Sequence, residues 1–172
     1  MTLAGAWLFL GYLSGVRSER ELRALYQEMP PSAVQALEKP SQITLFSLEP
    51  WAVFDKNTGA RDHKVLGQVT LDQTQGAKAI TAFRDAVASV QCSGWVLREC
   101  HAPPTAVCFN PRHALDVTAN GKKFHFLLCY ECSQMQIFED GRPLARLAVA
   151  GSPKVLNTLL AAANIPLPKS AP

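Results

Sequence analysis

Two dipeptides constrain this chain more than any other feature: Asn120-Gly121 and Asp140-Gly141, each set between runs rich in strand-forming residues. A two-residue type I′ turn needs positive φ at both central positions. Asn, Asp and Gly tolerate that conformation and most residues resist it, so each dipeptide predicts a tight β-hairpin. With the first turn at 120–121, ladder partners sum to 241, so Val117 faces Phe124, Leu115 faces Phe126 and His113 faces Leu128. One face of this hairpin is apolar. The other pairs Asp116 with His125 and Thr118 with Lys123, the alternation of an antiparallel sheet with a single face in a core.

The flanking sequence supplies more of the same. Strand-like runs cover 42–48, 65–71, 105–109, 113–119, 123–129, 133–139 and 144–149, with a polar loop at 55–63. Ser18 and Glu21 fit a capping box for a helix over 19–29, stopped by Pro30-Pro31, and a short helical piece covers 32–37. Asp72 caps a helix over 75–90 whose Ile80, Phe83, Val87 and Val90 form one stripe. Ser152-Pro153 opens a last helix over 153–164, closed by Pro166 and Pro168. The expected fold is therefore α+β: an antiparallel sheet of about five to seven strands with helices packed on it. Residues 1–39 read as an apolar segment and helical arm, 40–165 as one domain, and 166–172 as a Pro-rich tail. A chain of 172 residues buries about two thirds of its unfolded surface, so neither metal nor disulfide is needed merely to fold.

Charge narrows the function classes. The net charge is +3 and the basic residues are scattered, with only short pairs such as Lys122-Lys123, so the concentrated basic face of a nucleic-acid binder is not expected. Residues 3–16 are uncharged and include Trp7, Leu8, Phe9 and Leu10, but 14 residues are too few to span a bilayer as a helix. Their length suits the apolar region of an export signal, without its preceding basic residues, or a first helix packed on the core. Membrane association through 3–16, or export, is thus the expectation set against a cytoplasmic location.

The chemistry gathers late in the chain. Five cysteines, at 92, 100, 108, 129 and 132, lie within 41 positions, and the odd count argues against a pure disulfide framework. The 120–121 reversal carries Cys129 opposite Arg112 and Cys132 near Phe109, so Cys108-Phe-Asn-Pro-Arg-His113 lies beside Cys129-Tyr-Glu-Cys132. Both spacings are odd, which in a regular strand points each pair to opposite faces. Convergence therefore requires a break at Pro111 and another at Tyr130-Glu131.

Several readings follow from that cluster. Cys108, His113, Cys129 and Cys132 match the Cys3His set of a structural zinc site, which makes a non-enzymatic binding or structural module with bound zinc the leading expectation. Cys129 and Cys132 alone form a C-x-x-C pair suited to thiol redox, although no helix amino terminus is expected there to stabilise a thiolate. Cys108 or Cys129 activated by His113, with Asp116 or Glu131 orienting the base, describes a thiol enzyme. The plainest reading makes the cysteines small buried apolar side chains. Arg112 and Glu131 are supporting candidates, as a salt bridge or an anion contact, set against the plainer reading of a solvated arginine.

The segment Cys108-Phe-Asn-Pro-Arg-His113, the Asn-Gly hairpin and Leu-Leu-Cys129-Tyr-Glu-Cys132 together resemble small uncharacterised bacterial proteins. In those, C-F-x-P-R-H precedes an apolar strand ending in C-F-x-C. The resemblance covers about residues 40–165, with Tyr130 in place of Phe. It implies a shared site and favours export, and it carries no activity or substrate.

Overall fold

The structure is a computed structural model that describes residues 29–50, 63–88 and 109–167, with the backbone alone at 53–54 and 61–62. The strands are β1 (Gln42–Leu48), β2 (Val53–Phe54), β3 (Arg61–Asp62), β4 (Val65–Thr70), β5 (His113–Ala119), β6 (Lys122–Cys129), β7 (Gln134–Glu139) and β8 (Arg142–Ala148). The helices are α1 (Pro31–Glu38), α2 (Gln73–Ala88) and α3 (Lys154–Ala162). Six strands form one antiparallel sheet in the order β4-β1-β5-β6-β7-β8, while β2 and β3 make a two-stranded ladder. This is the expected α+β class.

The turn dipeptides set the register. Asn120 and Gly121 have φ of 52° and 75°, Asp140 and Gly141 of 48° and 78°, the left-handed values a type I′ turn demands. The β5–β6 pairs run from His113 with Leu128 to Ala119 with Lys122, which includes the expected pairs from His113 to Lys123; the ladder stops short of the expected pair of Arg112 with Cys129. The second hairpin starts β8 at Arg142, two residues before the expected 144, because a two-residue turn leaves no slack beyond Gly141.

One sheet face builds the core. Leu45, Leu115, Val117, Phe126, Leu128, Met135 and Ile137 are fully buried there against Phe83 of α2 and Leu156 and Leu160 of α3. Each large apolar side chain removed from water contributes about 1.5–3 kcal/mol, enough to make this face the main source of stability. The Phe83 and Phe126 rings meet edge to face at 6.2 Å. α1 joins the same core through Ala33, Ala36 and Leu37.

Local chemistry fixes the helix ends. Asp72 Oδ1 accepts the Gln75 N–H at 2.8 Å and Gln75 Oε1 accepts the Asp72 N–H at 3.2 Å, a reciprocal box at the start of α2. α2 lies close on β1 because Gly76 has no side chain: a Cβ there would sit 2.6 Å from Ile43 Cδ1. The residue that turns the chain out of α3 is Asn164, at φ 57°, which lets the Ile165 N–H reach the Leu160 carbonyl at 2.9 Å. The prolines expected to end this helix lie beyond that reversal. Expected elements over 19–28, 89–90 and 105–108 lie outside the described residues, as does the apolar stretch 3–16. Among the described residues, no helix is long and apolar enough to cross a membrane.

Candidate functional site

The second break foreseen in the sequence is present. Between β6 and β7 the chain turns over Tyr130, Glu131, Cys132 and Ser133; Ser133 takes φ 51° and its N–H reaches the Tyr130 carbonyl at 3.1 Å. That turn returns Cys132 to Cys129. Their Cα atoms lie 5.2 Å apart and the sulfurs are joined in a disulfide. Cys129 is 2% exposed and Cys132 9%, so both are buried and Cys132 is the more accessible residue.

Both sulfurs accept backbone hydrogen bonds. The Cys132 N–H donates to Cys129 Sγ at 3.0 Å, and the Asn110 N–H donates to Cys132 Sγ at 3.3 Å. Phe109 and Leu127 pack on the pair, with the Arg146 guanidinium 6.0 Å from the centre of the Phe109 ring. Arg112 spans the turn from the side, Nη2 to Glu131 Oε1 at 2.8 Å. The two supporting residues named from sequence are thus paired with each other. That bridge leaves Glu131 largely in water, so it contributes little more than positioning.

His113 goes elsewhere. It pairs with Leu128 on the core face, whereas Cys129, one residue further along β6, points to the opposite face. Its Nε2–H donates to Asn157 Oδ1 of α3 at 2.7 Å, and its Nδ1 is buried with no hydrogen-bond partner among the described residues. Burial lowers the imidazole pKa from 6.5 to about 4, partly opposed by the Asn157 hydrogen bond and assisted by the charge of Arg112. The break at Pro111 falls before β5 begins, so the ladder from residue 113 onward is regular and keeps His113 in the core. The expected convergence of His113 with Cys129 and Cys132 is therefore corrected: they lie on opposite faces of the sheet. This imidazole is not placed to activate Cys129.

Cys108 lies outside the described residues, as do Cys92, Cys100 and His101. Among the described residues, no group of three or more His, Cys, Asp or Glu side chains is arranged to hold a metal ion. A disulfide has also given up the thiolates that would bind zinc.

The opposite sheet face carries a second polar group. His125 Nδ1–H donates to Asp116 Oδ1 at 2.5 Å, the cross-strand pair expected from the register, and Lys123, which faces Thr118 in the ladder, donates from Nζ to Asp116 Oδ2 at 2.8 Å. Burial pushes the Asp116 carboxyl up, but the hydrogen bonds and charges of His125 and Lys123 outweigh it and hold the group below its ordinary range. The imidazole of His125 lies between Phe46 and Phe138, with ring centres at 6.5 and 6.1 Å. A groove of about 780 Å³ opens over these residues. Sequence reasoning missed it because the aromatic walls come from strands distant in the chain, β1 and β7. Comparison with protein-family models, with curated proteins and with solved structures finds no match to the chain.

Proposed function

We propose that this chain is a thiol–disulfide module in which Cys129 and Cys132 cycle between a disulfide and a dithiol at the β6–β7 turn. The observation that carries the reading is the pair of backbone N–H groups aimed at the two sulfurs. A hydrogen bond to a sulfur is stronger when that sulfur is an anion, so these donors favour the thiolate formed on reduction.

Reduction takes two exchange steps. A small-molecule thiolate attacks Sγ of Cys132, the more exposed residue; the S–S bond breaks and its electron pair leaves on Cys129, whose thiolate accepts the Cys132 N–H hydrogen bond. A second thiolate attacks the external sulfur of the mixed disulfide and releases Cys132. Two thiols become one disulfide, and the protein takes up two electrons and two protons.

The test is a thiol–disulfide titration of the full chain in dithiothreitol buffers, read by alkylation and mass of the peptide containing both residues. The expected result is a reversible two-electron transition under native conditions, abolished by Cys132→Ser. A disulfide that yields only after the chain unfolds, or a pair that stays alkylated throughout, overturns the proposal. Metal analysis of the reduced protein separates the zinc reading: stoichiometric zinc lost in Cys129→Ser would favour it instead.

A further inference from the structure

The groove on the sheet face away from the helices is lined by neither Cys129 nor Cys132 and has a definite chemical character. Its walls are apolar where Phe46, Leu127 and Phe138 rise from β1, β6 and β7, and polar where Asp116, Lys123 and His125 meet. Its volume, about 780 Å³, falls within the range of small-molecule sites, roughly 300–1,000 Å³.

Charge decides what such a molecule must carry. Both Asp116 oxygens are already engaged, Oδ1 by His125 and Oδ2 by Lys123, so the carboxylate has little left for a cationic ligand. The Asp116 side chain is 12% exposed and that of Lys123 63%, which makes the ammonium the outward-facing charge. Its bond to Asp116 uses one of the three ammonium N–H donors. His125 meets Asp116 through Nδ1, which turns Nε2 to the far side of the ring. A cation would meet repulsion from Lys123, whereas an anion gains a charge-assisted hydrogen bond.

Size follows from the strand order. β1 and β7 stand three strands apart through β5 and β6, and His125 lies between Phe46 and Phe138 with ring centres 6.5 and 6.1 Å from theirs, so the three rings form one row. A body of two or three fused or linked rings covers that row and meets a phenyl ring at each end.

We infer that this groove binds a small amphipathic molecule with a flat, apolar, multi-ring body and one anionic head, the body laid across Phe46, His125 and Phe138 and the head on Lys123. The probe is 8-anilinonaphthalene-1-sulfonate, titrated into the folded full chain and followed by fluorescence and calorimetry. Saturable binding of one molecule per chain is expected. Its uncharged relative N-phenyl-1-naphthylamine binds about five-fold more weakly, since the head contact is partly in water. Lys123→Gln weakens the sulfonate about five-fold and leaves the uncharged dye unchanged. Phe138→Ala weakens both at least ten-fold, with circular dichroism and the thermal midpoint confirming that the variant is folded. Lys154→Gln, on α3, changes neither. Absence of saturable binding, equal affinity for the two dyes, or indifference to Lys123→Gln overturns the inference.

Discussion

His113 shows how much one side chain can hold in an energetic balance. Its imidazole is neutral in the fold, with one nitrogen bonded to Asn157 and the other buried with no partner among the described residues. The folded pKa of about 4 lies below the unfolded 6.5, so as pH falls between those values the unfolded chain binds a proton that the folded chain refuses. The stability contributed by keeping this imidazole neutral is complete well above pH 6.5. It declines towards pH 4 by as much as about 1.4 kcal/mol per pH unit, or about 3 kcal/mol in all. Urea unfolding at pH 7.0, 5.5 and 4.5 measures this slope, and His113→Leu should flatten it; an unchanged slope would show that the acid sensitivity arises elsewhere. The sequence placed this residue correctly in the ladder opposite Leu128. It did not reveal Asn157, whose contact crosses 44 positions and depends on where α3 lands.

The hairpins were legible because their turns depend on dihedral preferences that reside in two residues each. A Cβ added at Gly121, where φ is 75°, would have no atom of the described residues within 4 Å, so Gly121→Ala meets no clash and its cost isolates the left-handed backbone. The expected loss is about 1–2 kcal/mol, measured by chemical denaturation, with the β5–β6 register retained. A loss near zero would mean that the turn relaxes to another type. The β6–β7 turn was legible only in part. Its odd cysteine spacing required a break, but Ser133 in the left-handed region carries no sequence signal comparable to Asn-Gly. Nor does the pattern of any single strand announce the groove, which exists only once β1, β5, β6 and β7 are side by side.

For the molecule as a whole, stability rests on the helix-covered face, and the disulfide is a small addition. The cystine closes a loop of only four residues, for which chain entropy gives about 2 kcal/mol. The double variant Cys129→Ala, Cys132→Ala should therefore unfold cooperatively, with stability lowered by about 2 kcal/mol or less in guanidinium titration. Collapse of the fold in that variant would assign the sulfurs a structural role and rule out their free cycling. Overall architecture was the most legible level, since class and sheet register follow from alternation and turn chemistry. The sites were less so, because they depend on which face a break delivers a side chain to.

Leu127 lines the groove and also packs on the cluster of Phe109, Cys129 and Cys132. A guest in the groove and the paired sulfurs therefore share one neighbouring side chain. Reciprocity then governs both: a guest that fits one oxidation state better holds the pair in that state, by the same free energy with which the pair alters the guest's residence.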